Sequence, residues 1–304
     1  MPQIAAADSG RRAVTIGEKV LGPRHPDLAI YLNGLAHLYA EQGKDADAKL
    51  LYERAIAIGE KTLGLKDPYM GSAFDNLARL YFKQGHIAKA EALLQHVIAT
   101  GETILGPEHP SLGGYFSSLA QLYVKQGKDT EAETLFLRAI AIGERVLSPK
   151  HPQLGGRLAN LAQLYVKQGK DIEAETLFLR AINADEQVFG QDDPELMRPL
   201  NNLAHLYAEQ GKDADAKLLY ERAIAIGEKA LGPDHRRLGF PLNNLAFLYS
   251  EQGKYSEAEI LFQRVISIFE KSLGPDHADT IRAQENLEHY LWQRQRSSNA
   301  SNEQ

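Results

Sequence analysis

The sequence predicts an all-α solenoid built from antiparallel helix pairs. Three observations carry that prediction. A glycine follows glutamine at Gly43, Gly85, Gly127, Gly169, Gly211 and Gly253, with a spacing of 42 every time. The block LAHLYAEQGKDADAKLLYERAIAIGEK at 35–61 recurs letter for letter at 203–229, four periods later. Within each period apolar residues fall at helical spacing, and strand signals are absent. Self-similarity at a fixed period of this size marks stacked supersecondary units.

The chain opens on half a repeat. Residues 11–21 match only the later half of a second helix, so 1–22 reads as a partial repeat without its first helix. Six full helix-pair repeats follow over 23–277. In the first of them Leu28, Leu32, Leu35 and Tyr39 line one side of a helix over 26–42. Pro26 suits the first helical position, where its missing N–H costs nothing. His25 precedes it as a candidate N-cap, and Asp67, His109, His151, Asp193, His235 and His277 take that place in later repeats. Gly43 is expected to end the helix in a left-handed conformation.

The second helix starts near Asp45, whose charge suits a helix N-terminus. Ala48, Leu51, Tyr52, Ala55 and Ile56 form its apolar face, and it is expected to stop at Gly64. Gly17, Gly59, Gly101, Gly143 and Gly227 sit inside second helices. Each costs about 1 kcal/mol relative to alanine there, so their recurrence points to close helix approach. One hairpin cannot bury both of its apolar faces, and stacking the hairpins buries them. A capping helix is expected over 278–294, followed by a polar, disordered tail over 295–304.

Composition narrows the function classes. The 304 residues are 43% hydrophobic and 24% charged, as in ordinary globular chains. No apolar run approaches the roughly 18 residues of a membrane span, and the N-terminus lacks a secretory pattern. Cysteine is absent. A cytoplasmic protein with no membrane partner is expected. The net charge of −6 argues against a nucleic-acid partner. No zinc-protease, nucleophile-elbow, P-loop or dinucleotide motif occurs. The turn histidines recur one repeat apart, about a helix diameter of ~10 Å, too far to converge on one ion. No catalytic residue, metal or cofactor is therefore expected, and the chain reads as a non-enzyme. The oligomeric state is not specified.

At these residues the chain resembles the tetratricopeptide repeat. Leu35, Ala36 and Tyr39 in the first helix, with Ala48, Tyr52 and Ala55 in the second, match the family's order of large and small side chains. Leu161, Ala162, Tyr165, Ala174, Phe178 and Ala181 repeat it. The period of 42 rather than 34 looks like the longer variant of kinesin light chains. The resemblance covers roughly residues 11–292. It implies a right-handed superhelical solenoid whose first helices line a concave groove that receives a protein or peptide partner.

Residues 33, 37 and 41 lie opposite the core stripe at 35 and 39. The expected peptide-binding residues on that face and its neighbouring column are Asn33, His37, Asn76, Arg79, Lys83, Gln121, Lys125, Asn160, Gln163, Lys167, Asn201, Asn202, His205, Asn243 and Asn244. The resemblance assigns the asparagines to a bound peptide's backbone, and a carboxamide both donates and accepts. Arg79, Lys83, Lys125 and Lys167 form a basic centre between acidic ends, so an extended acidic segment is the expected ligand. A second expectation is a sensor or regulatory region of a larger protein, because similar arrays occur beside nucleotide-binding switch domains and caspase-like proteases.

Overall fold

The computed structural model describes residues 2–62, 68–146 and 153–302. Every regular element among them is a helix. α1 (Pro2–Val20) is the lone second helix of the opening half repeat. Three pairs follow: α2 (Pro26–Glu41) with α3 (Asp45–Thr62), α4 (Pro68–Lys83) with α5 (Ile87–Leu105), and α6 (Leu112–Gln126) with α7 (Asp129–Val146). Then come α8 (Leu154–Lys167) with α9 (Asp171–Phe189), α10 (Met197–Glu209) with α11 (Asp213–Leu231), and α12 (Gly239–Glu251) with α13 (Tyr255–Leu273). α14 (Ala278–Asn302) closes the chain. The chain divides into two compact bodies, Met1–Ser148 and Pro149–Gln304.

Within each body a helix packs on its hairpin partner and then on the next first helix. The cores are aromatic side chains set among fully buried alanines. Tyr52, Phe74, Phe116 and Phe136 are buried in the first body, and Phe178, Tyr220, Phe262 and Tyr290 in the second. Each such side chain contributes roughly 1.5–3 kcal/mol on burial. Ala36, Ala48 and Ala90 have no exposed surface and make room for them.

The helical glycines do what their recurrence predicts. A Cβ on Gly59 would lie 1.8 Å from the Met70 sulfur, and one on Gly101 would lie 2.7 Å from Leu112. Their absence lets the next repeat's first helix approach. Gly43 has φ of +73°, and the Lys44 N–H then closes on the Tyr39 carbonyl at 2.9 Å. The lysine after this turn stacks on the tyrosine of the same repeat, at 5.2 Å for Lys44 on Tyr39 and 4.7 Å for Lys212 on Tyr207.

The turn histidines are caps. The Nδ1 of His25, His109, His235 and His277 accepts from the backbone N–H two residues on, at 3.3, 3.3, 3.2 and 3.1 Å. Asp193 does the same for Glu195 at 2.8 Å. Asp67, His151 and the expected stop at Gly64 lie outside the described residues.

Two expectations are adjusted. The first helices α6 and α8 begin at Leu112 and Leu154, two residues after the proline, and 3-10 turns at Pro194–Leu196 and Arg236–Leu238 precede α10 and α12. The last helix runs to Asn302, through most of the stretch expected to be a disordered tail. No glycine or proline follows Pro275, so nothing breaks the helix after the core contacts end. No helix among the described residues is long and apolar enough to cross a membrane.

The cap at His235 gives a pH-dependent prediction. Burial, then Arg237 and Arg236, hold this imidazole below its ordinary pKa. The folded state thus takes up a proton less readily than the unfolded state, and its contribution to stability is lost as pH falls below about 6.5. A carboxylate cap at this position keeps accepting in that range. His235→Asp should raise the melting temperature at pH 5.5, with a gain of about 1 kcal/mol, and the gain should shrink at pH 8.

Candidate binding face

Successive first helices touch one another: α2 with α4 and α4 with α6 in the first body, and α8 with α10 and α10 with α12 in the second. Successive second helices make no comparable contact among the described residues. The first helices therefore lie on the inner side of each body's curve. His37, Arg79, Lys83, Gln121 and Lys125 are exposed on the first body's inner helices, and Gln163, Lys167 and His205 on the second's.

The charges on the first body are not equivalent. Lys83 Nζ stands 3.0 Å from the Asp45 carboxylate of the preceding repeat. His37 Nε2 lies 3.8 Å from Glu41, and in the second body His205 lies 3.6 Å from Glu209. Lys125 has no ion-pair partner among the described residues. Arg79 and Gln121 rim a small cavity of about 40 Å³, walled by Ala78, Phe82, Leu94 and Leu122. Beneath Arg79, burial raises the Asp75 pKa, opposed by the Ser118 hydroxyl and the Arg79 charge.

The asparagines form rungs between first helices. Asn76 Nδ2 donates to Asn33 Oδ1 at 3.4 Å, and Asn33 in turn donates to the Ser72 hydroxyl at 3.0 Å. Ser118 donates to Asp75 at the same register. In the second body Asn244 donates to Asn201 at 3.0 Å and Asn286 to Asn243 at 2.9 Å. These four links each span 43 residues, one more than the repeat. The first polar position of one repeat accepts from the second polar position of the next. Asn160 accepts instead from Arg198. At Ala159 the rung is missing, and the Asn202 Nδ2 that would reach it is buried with no partner.

Close to that gap lies a group that the sequence analysis did not single out. Asp185 on α9 occupies the register held elsewhere by Gly17, Gly59, Gly101, Gly143 and Gly227. It is 5% exposed. A Cβ on Gly155 would lie 2.0 Å from its Oδ1, so the carboxylate rests on bare α8 backbone. Asp185 lines a cavity of about 110 Å³ with Gly155, Gly156, Ala159, Phe189, Glu195, Arg198, Pro199 and Arg237. Burial first, then Glu195 and Asp193, push its pKa up to about 7 against the opposing charge of Arg198. The legible signal was one aspartate interrupting a column of glycines.

A tetratricopeptide repeat family model matches residues 5–61, 69–145, 114–187, 156–229, 195–271 and 241–302. Among solved structures the chain is similar to a protein of Podosopora anserina assigned as a kinesin light chain with nearly identical TPR-like repeats. The identity is 28%, the match covers 67% of this chain and 97% of that one, and the TM-score is 0.57. BtubC (BKLC) from P. vanneervenii is similar at 23% identity, over 77% of this chain and 92% of that one, with a TM-score of 0.64. A tetratricopeptide repeat protein from Parabacteroides merdae is similar at 19% identity, over 95% and 92%, with a TM-score of 0.60. The last two likenesses concern the fold alone. No curated protein matches the chain.

Two stability predictions follow from the second body. Ala159→Asn should give Asn202 its missing acceptor and stabilise the fold by about 1 kcal/mol, read in urea melts. No gain would mean that the buried amide is already satisfied. Asp185 keeps its proton to about pH 7 when folded, whereas an unfolded aspartate ionises near 3.9. The folded state binds more protons between those values, so this group's contribution falls as pH rises from about 4 to about 7. Asp185→Asn should melt later than the wild type at pH 8, by a few kcal/mol at most. The two should converge toward pH 4.5.

Proposed function

Because the chain belongs to the tetratricopeptide repeat family, we propose that it is a non-enzymatic protein-interaction scaffold whose first-helix face in residues 1–148 takes an extended acidic segment of a protein partner. The observation that carries this reading is Lys125, an exposed cation without an ion-pair partner among the described residues, on the same face as Arg79. The whole chain has a net charge of −6, so a cationic inner face runs against its average. Lys83 plays a smaller part because Asp45 already holds it at 3.0 Å.

The asparagines support the same reading with half of their capacity. A carboxamide offers two N–H groups and two lone pairs, and the rung between Asn33 and Asn76 leaves some of each for a peptide backbone. In the second body Asn160, Asn201, Asn202, Asn243 and Asn244, with Gln163, Lys167 and His205, offer the equivalent face.

The test begins with proteins pulled down by the full chain, whose segments are then measured as synthetic peptides. The bound segment should be acidic. Lys125→Glu should weaken its binding by about ten-fold and flatten the salt dependence of the remainder. Unchanged affinity in that variant and in Arg79→Glu would remove this face from the function.

A further inference from the structure

The buried carboxylate of Asp185 has no role in the scaffold reading, and the fold does not need it. Glycine fills the same register in five other repeats. At 5% exposure the residue is largely buried, and it lines the cavity over Gly155 and Gly156. Among the described residues no donor lies within hydrogen-bond or ion-pair distance of it. A buried carboxylate is costly unless it is protonated or meets a cation, and a cationic ligand would complete this one.

The neighbouring charges define that ligand. Arg237 is engaged, with Nη1 donating to Glu195 at 2.9 Å and Nη2 to the Pro194 carbonyl at 2.8 Å. Arg198 donates to the Asn160 side chain. Asp193 is held as the cap of the following turn by the Glu195 N–H at 2.8 Å. With these groups charged, the three carboxylates Asp185, Asp193 and Glu195 face the two guanidinium groups of Arg198 and Arg237. One negative charge is left over, and it is the buried one.

The walls set the shape. Phe189, Pro199, Ala159 and the two glycines give an apolar lining, and the cavity of about 110 Å³ is open beside Gly156, where a Cβ would meet nothing within 4 Å. An alkyl stem fits such a lining while its charged head reaches the carboxylate. A compact ammonium needs less room than a planar guanidinium.

We propose that Asp185, with the cavity over Gly155 and Gly156, is a subsite for a primary ammonium group carried by a partner polypeptide. The group forms an ion pair with the Asp185 carboxylate and places its carbon stem against Phe189 and Pro199. A lysine side chain and a polypeptide N-terminus share this chemistry. The subsite does not depend on the basic face of the first body.

The experiment uses the full chain, isotope-labelled for NMR, and three tripeptide amides. These are acetyl-Ala-Lys-Ala-amide, Ala-norleucine-Ala-amide with a free N-terminus, and acetyl-Ala-norleucine-Ala-amide. At least one of the amine-bearing peptides should give saturable shifts at the Gly155 and Gly156 amides and the Asp185 carboxyl carbon, and should lower the pH midpoint of Asp185. Which of the two binds tighter identifies side chain or terminus. The peptide without an amine should give no saturable shift. Asp185→Asn should lose at least ten-fold in affinity, and Asp185→Gly, the residue of five other repeats, serves should the first variant fail to fold. Lys125→Glu should leave this titration unchanged. The proposal is overturned if neither amine saturates, if the amine-free peptide matches them, or if a folded Asp185 variant binds as the wild type does.

Discussion

Burial of one hairpin's apolar face against the next is the interaction from which the other features of this molecule follow. A single pair such as α2 and α3 exposes too much hydrocarbon to stand alone, and α4 covers it. The cover works only if the helices come close. Fully buried alanines such as Ala36 and Ala90 and helical glycines such as Gly59 and Gly101 clear the space that Tyr52, Met70 and Leu112 then fill. The period of 42 is the length of chain needed to return to that interface with the same side chains. Because packing uses the stripe at Leu35 and the buried faces of the second helices, the residues opposite that stripe are left to make polar and charged surface.

On that surface the repeat is deliberately imperfect. The polar rungs link the first helices at a spacing of 43, joining Asn33 to Asn76 and Asn201 to Asn244. The same repeat breaks the pattern twice. Ala159 removes a rung acceptor and leaves the Asn202 Nδ2 without a partner, and Asp185 replaces a packing glycine. Both line one cavity with the glycines at 155 and 156. The exact copies at 35–61 and 203–229 carry the same histidine–glutamate pair, at 3.8 and 3.6 Å. Copies maintain the frame, and departures from the copy are where the proposed binding chemistry lies.

Much of this was legible in the sequence. The helix pairs, the histidine caps and the close approach at the glycines follow from local chemistry repeated at a fixed interval. Three features were not. The rungs at a spacing of 43 join different columns of the repeat, so an alignment by 42 places the partners apart. The bond from Lys83 to Asp45 likewise crosses from a first helix to the preceding second helix, which no pattern within a single helix reveals. The extension of α14 to Asn302 runs through serines and asparagines of low helix propensity, where polar composition suggested disorder. The pocket around Asp185 was half legible: the interrupted glycine column was visible, but the burial that gives the carboxylate its chemistry was not.

The central claim is that a partner docks on the inner helices of the first body and not on its outer ones. Site-specific photocrosslinking tests it most directly, with the photoreactive residue placed either at Gln121 on α6 or at Thr134 on the exposed side of α7. An identified partner should be captured from Gln121, and capture should fall as salt rises. Capture from Thr134 alone, or capture from Gln121 that ignores salt, would contradict the account.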